Sequence, residues 1–150
     1  MNRYLTLALF LLFTVGGGLL TGLYNMPGEW YQGLVKPSFN PPPWLFGPVW
    51  TILYVLIAFA GWRTWQRRAE GPAMQVWFAQ MVLNFAWSPV FFTAHAIGFA
   101  LAILVMMWVL IAWFIWLSWD RDRIAAYAFI PYFAWVSFAG LLNASIWILN

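Results

Sequence analysis

The chain has 150 residues, of which 65% are hydrophobic and only 7% charged, with a mean hydropathy of +0.78. Soluble domains carry about 25% charged residues, so 7 Lys and Arg with 4 Asp and Glu exclude a soluble enzyme domain, a disordered tail and a nucleic-acid module. A net charge of +3 provides no basic stripe along a phosphate backbone, and the absence of Cys removes disulfides, thiolate nucleophiles, Fe–S clusters and zinc ribbons together. The composition is that of a membrane protein.

Five apolar runs are each about 20 residues long, the length that crosses a bilayer as a helix. The first, Leu5–Leu23, follows Arg3 and has no A-x-A cleavage site after Gly16-Gly17-Gly18, so it reads as a retained helix rather than a signal peptide. Gly18 and Gly22 form a small-xxx-small pair that serves packing inside the bundle or dimerisation, the former being favoured. A loop from Tyr24 to Leu45 comes next. It holds or adjoins six of the nine prolines, Pro27, Pro37, Pro41, Pro42, Pro43 and Pro48. Proline fixes φ and removes a donor, so the loop is stiff and cannot be an extra span. With Glu29, Trp30, Tyr31, Lys36, Phe39 and Trp44 it reads equally as a lid over the bundle or as an interfacial connector.

The second run, Phe46–Trp65, carries Trp50, Tyr54 and Ile57 on one face. In the third, Met74–Thr93, the same spacing aligns Gln80, Asn84, Trp87, Ser88 and Phe91. The fourth, Ile97–Trp119, is apolar throughout, and its Trp108, Trp113 and Trp116 read as packing or lipid-facing. The fifth, Ala126–Leu149, aligns Tyr132, Trp135, Ala139, Leu142 and Asn143. Pro89 and Pro131 are expected to bend the third and fifth. Trp62, Trp65, Trp77, Trp119 and Trp147 fall near span ends, as an aromatic belt. Polar groups at membrane depth face the bundle interior; here they act either as interhelical glue, with Asn84 bonding Asn143 or Ser88, or as the polar points of an apolar pocket. His95, the single His, reads as an interfacial loop residue, and Asp120-Arg121-Asp122-Arg123 as a self-neutralising, solvated stop.

The expected fold is therefore all-α: a single domain over residues 1–150, a bundle of five transmembrane helices with a Pro/Trp-rich loop between the first two. Arg3, Arg63, Arg67, Arg68, Arg121 and Arg123 share one side against Lys36 on the other. The positive-inside rule places the N-terminus in the cytoplasm, the long loop and the C-terminus opposite, and favours an inner membrane.

Several stretches carry a family resemblance. They are Trp30-Tyr31 with Leu34-Val35-Lys36-Pro37-Ser38-Phe39-Asn40-Pro41-Pro42, Trp44 to Tyr54, and Asn84 to Phe92 together with Pro131-Tyr132-Phe133-Ala134-Trp135 and Leu142-Asn143. On these the sequence resembles the TspO/MBR family, the tryptophan-rich sensory proteins whose mitochondrial relative is the translocator protein, or peripheral benzodiazepine receptor. The resemblance implies a homodimeric five-helix bundle whose cavity is capped by the first loop. It implies binding of protoporphyrin IX and of benzodiazepine-site ligands, with no cofactor required. By resemblance the pocket uses Trp50, Tyr54, Asn84, Trp87, Ser88, Trp135, Ala139 and Leu142, with Tyr31, Trp44 and Phe46 on the lid side, and Lys36 is a candidate partner for a propionate. The sterol motif ascribed to the last helix of mitochondrial members needs a Lys or Arg, and none follows Arg123, which argues against a sterol role. Binding and sensing rank first. A light- and oxygen-dependent porphyrin-degrading enzyme with Trp50 and Trp135 as redox groups ranks second, and a porphyrin or sterol transporter third.

Overall fold

The computed structural model describes residues 1–150 and is helical throughout, without strands. Helix α1 runs Arg3–Tyr24. Its start is capped by Asn2, whose side chain accepts from the Tyr4 N–H at 2.8 Å, and its middle widens into a π turn at Leu12–Gly16. The long loop holds a one-turn helix, α2 (Glu29–Gln32), and a 3₁₀ turn at Pro43–Leu45 that leads into α3, Phe46–Arg68. Arg67 and Arg68 in the last turn of α3 complement the helix dipole.

Pro72 opens α4 (Pro72–Ser88) at a position where its missing N–H costs nothing. Pro89 then removes a helical hydrogen bond, and the chain passes into a second π turn, Pro89–Thr93. His95, at φ 57°, makes the left-handed turn into α5, Ile97–Ser118. Helix α6, Arg123–Leu149, is capped by Asp122 and runs unbroken through Pro131.

Four helices are long and apolar enough to cross a membrane: Arg3–Tyr24, Pro43–Arg68, Ile97–Ser118 and Arg123–Leu149. The expected run Met74–Thr93 differs, because Pro89 ends its α-helical part after 17 residues. It nevertheless extends along α1 from the arginine end of the bundle to the loop end, where Thr93 donates to the Asn25 side chain.

The long helices close a ring in which α1 packs on α3, α3 on α6, α6 on α5, α5 on α4, and α4 back on α1. Trp77, Phe114, Phe129, Ile57 and Met107 fill its interior. Leu12, Leu19, Leu20, Ile52, Val82, Trp116 and Ile148 stand on the outside, an apolar surface suited to lipid. Trp113 and Trp116 face outward, and Trp108 packs on Phe133 and bonds the Ser137 hydroxyl at 2.7 Å, within the same expectation. Trp77 is no belt residue: it is fully buried, lies against Gly61 and donates to the Ile57 carbonyl at 2.9 Å. Gly17 and Gly18 serve packing inside the ring, lying beneath the rings of Phe85 and Tyr54, while Gly22 has no neighbour.

Asp122 corrects a second expectation. Instead of belonging to a solvated, self-neutralising loop it is buried, and Arg63 grips it through Nε and Nη2, each at 2.9 Å. Arg67 Nε adds a contact at 3.3 Å.

Candidate functional site

Three helices meet around one polar chain near the middle of the bundle. Tyr54 on α3 donates its hydroxyl to Asn84 Oδ1 at 2.8 Å, and Asn84 Nδ2 donates to the Tyr132 hydroxyl on α6 at 2.8 Å. Tyr132 in turn donates to Gln80 Oε1 at 2.7 Å, one helical turn from Asn84. A single amide thus joins α3, α4 and α6. The step of four residues from Gln80 to Asn84 puts both side chains on the ring-facing side of α4, and both are buried.

Aromatic rings wrap this chain. The Trp50 ring lies 5.5 Å from Tyr54 and 6.4 Å from Tyr132, the latter edge-on. On the facing helix, Trp135 meets Phe46 edge-on at 5.8 Å and Phe138 at 5.6 Å. Ala139, one turn beyond Trp135, packs against the same core. The Trp135 indole N–H is buried without an acceptor, as is the Gln80 amide nitrogen. Such donors are costly in an apolar interior, which marks the space beside Trp135 as a place for an acceptor.

A second bonded pair lies nearer the loop. Trp87 Nε1 donates to Asn143 Oδ1 at 3.0 Å, and Asn143 Nδ2 donates to the Ile97 carbonyl at 3.0 Å. Asn84 and Asn143 therefore serve different partners and do not bond each other. Leu142 is buried beside Asn143, and Ser88, half-buried, makes no side-chain hydrogen bond.

The long loop lies across this end of the ring. Tyr31 packs edge-on against Phe92 at 5.3 Å and Phe91 at 6.2 Å, and Trp30 stacks on His95 at 4.0 Å. The terminal residue pins the loop: Asn150 Oδ1 accepts from the Val35 N–H at 3.0 Å, and its Nδ2 donates to the Val35 carbonyl at 2.8 Å. Lys36 is occupied, its ammonium donating to the Tyr31 carbonyl at 2.8 Å and lying 4.5 Å over the Tyr31 ring.

Of the residues expected to line a pocket, Trp50, Tyr54, Asn84, Trp135, Ala139 and Phe46 come together. Trp87 and Leu142 lie with Asn143 toward the loop, Tyr31 covers Phe91 and Phe92, and Trp44 stands 71% exposed, away from the cluster. Tyr132 and Gln80 belong to the polar chain although neither was among those residues; their spacing on the shared faces was the available signal. Within this cluster the Trp50 ring contacts Tyr54 and Tyr132, and the Trp135 ring contacts Phe46 and Phe138. Two hollows lie away from it, one along Ala112–Arg121 and one among Arg3, Arg63 and Arg67.

The sequence profile of the TspO/MBR family matches residues 8–148. The chain belongs to this family. Among TspO/MBR relatives, a tryptophan-rich sensory protein of Cereibacter sphaeroides is 39% identical over 145 residues, covering 95% of this chain and 92% of the relative. Protein CrtK of Rhodobacter capsulatus is 36% identical, covering 87% and 84%. The human translocator protein is 34% identical, covering 87% and 82%. Family membership and the apolar helices together make this a membrane protein.

Proposed function

We propose that this TspO/MBR protein is an integral membrane receptor for a tetrapyrrole of the protoporphyrin IX type, with a sensory or regulatory output, and that it also accepts benzodiazepine-site ligands. The observation that carries the reading is the Tyr54–Asn84–Tyr132 chain walled by Trp50 and Trp135, with one indole N–H left without an acceptor. Flat aromatic walls around a few fixed polar groups suit a flat, largely apolar ligand. Because Trp50 packs on Tyr54 and Trp135 on Phe46, entry of a macrocycle is read as needing the loop to lift and Trp50 or Trp135 to swing aside. The loop is then a lid whose latch is Asn150 on Val35. Trp87, Ser88, Leu142 and Tyr31 line the approach, Trp44 joins only from a lifted loop, and no resident cofactor is needed.

In this reading α4 with its π turn is the fifth membrane-crossing element. The arginine end faces the cytoplasm of an inner membrane, and two copies pair through their apolar outer faces. The test is quenching of tryptophan fluorescence by protoporphyrin IX in the dark. Saturable quenching that Asn84→Leu and Ala139→Phe weaken supports the pocket, and quenching unaffected by both refutes it.

A second reading, light-driven oxidation of the bound porphyrin by dioxygen, is favoured by Trp50 lying within 6.4 Å of two phenols, an arrangement that can pass electron density between rings. Illumination of the complex decides it. A protein-dependent product lost in Trp50→Phe and Trp135→Phe, with dark binding retained, supports turnover.

A further inference from the structure

At the end of the bundle opposite the lid, a hollow of about 180 Å³ is lined by Arg3, Trp62, Arg63, Gln66, Arg67 and Asp122. Three arginines and one carboxylate line it, and Arg63 and Arg67 face the carboxylate. Asp122 neutralises only one of the three charges and holds two of the guanidiniums in place, which leaves a surplus of positive charge. Arg63 binds it through Nε and Nη2, Arg67 approaches through Nε, and the Ala125 N–H caps it at 3.4 Å. Arg63 Nη1, the Nη atoms of Arg67 and the Gln66 amide keep no protein acceptor, and Arg3 lies 5.1 Å over the Tyr4 ring with a long hydrogen bond of 3.4 Å to its hydroxyl. The neighbouring carboxylate Asp120 belongs to Arg123, at 3.6 Å. Trp62 ties the rim together by donating to the Arg3 carbonyl at 2.9 Å.

The geometry points to a site for a phosphate-bearing anion in this hollow, held by Arg3, the free edge of Arg63 and Arg67. Guanidinium forks match phosphate oxygens in pairs, and Asp122 fixes the planes of two of them in advance. Its place at the end of the apolar surface, beside an interfacial indole, sets it level with lipid headgroups, where basic pockets between helices bind anionic lipids. Two sources supply this chemistry: an anionic phospholipid and free phosphate.

The test is native mass spectrometry of the full chain in mild detergent with phosphatidylglycerol, against phosphatidylcholine of the same acyl chains. A parallel arm reads the shift in thermal unfolding with inorganic phosphate. Arg3→Gln and Arg67→Gln are compared with Arg68→Gln, which removes the same charge at the same end without lining the hollow. The expected result is preference for phosphatidylglycerol, weakened about five-fold by each lining variant and little by Arg68→Gln. The same pattern in the phosphate arm alone assigns the hollow to free phosphate. If neither probe is weakened more by the lining variants than by Arg68→Gln, the site does not exist.

Discussion

Asn84 concentrates the interior chemistry in one side chain, since its oxygen receives one phenol and its nitrogen serves another. Interhelical hydrogen bonds in membranes average about 0.6 kcal/mol, but removing this amide also strands the Tyr54 phenol, while Tyr132 keeps Gln80 as its acceptor. Asn84→Ala should therefore cost about 1–2 kcal/mol in thermal or SDS unfolding, more than a single surface bond. Gly18 supports the same chain from outside. A Cβ there would overlap the Tyr54 ring, which cannot swing without breaking its bond to Asn84. Gly18→Ala is expected to destabilise by about 1–3 kcal/mol. Gly22→Ala, which meets nothing, should be neutral or stabilise by up to about 1 kcal/mol through helix propensity. Equal unfolding midpoints for the two variants would contradict the packing described here. The two glycines are indistinguishable as a small-xxx-small pair in the sequence; only the position of Tyr54 separates them.

Among the elements, α6 owes its start to a carboxylate whose partners lie on α3. Burial alone would push the Asp122 carboxyl upward. The Arg63 hydrogen bonds and charge, the Ala125 N–H and Arg67 outweigh it and hold the group below its ordinary value. A depressed carboxyl contributes stability that is present above the unfolded value of about 3.9 and lost as pH falls through the folded one. The unfolding midpoint should therefore drop on acidification through and below that range, and Asp122→Asn should start lower and show a flatter acid limb. The loop is a second element held from a distance. Asn150→Ala removes both bonds to Val35 at a cost of about 1 kcal/mol, felt locally. Hydrogen exchange should quicken in residues 33–40 while the ring helices keep their protection. Pro89 shows how one residue reshapes an element: the bend expected from it takes the form of a π turn, and the bundle accommodates Pro131 without a break.

At the scale of the whole molecule, the six arginines gather at one end and Lys36 with Asn150 at the other. With no native Cys, single cysteines report orientation directly. Arg68→Cys should react with a membrane-impermeant maleimide only after cells are opened, and Ser38→Cys before. The reverse pattern would invert the topology proposed above. Closure of the ring, α4 against α1 as well as α5, explains why a 17-residue helix can extend end to end: its neighbours cover its flanks, and the π turn completes its length.

Much of this was legible in the sequence, because the bilayer imposes local rules. Apolar runs of spanning length, the charge bias at their ends and the three- and four-residue spacing of Trp50, Tyr54, Asn84 and Trp135 all depend on neighbours close in sequence. So did the family, whose motifs are contiguous. The tertiary structure alone decided which polar groups bond. Tyr132 and Asn84 are 48 residues apart, Asp122 and Arg63 are 59, and Asn150 and Val35 are 115. It also decided that Trp77 is core, that Trp44 stands outside and that Lys36 is engaged. A helix face fixes only the direction in which a side chain points. The acceptor it meets is set by the order of helices around the ring, which residue spacing along a single helix does not encode.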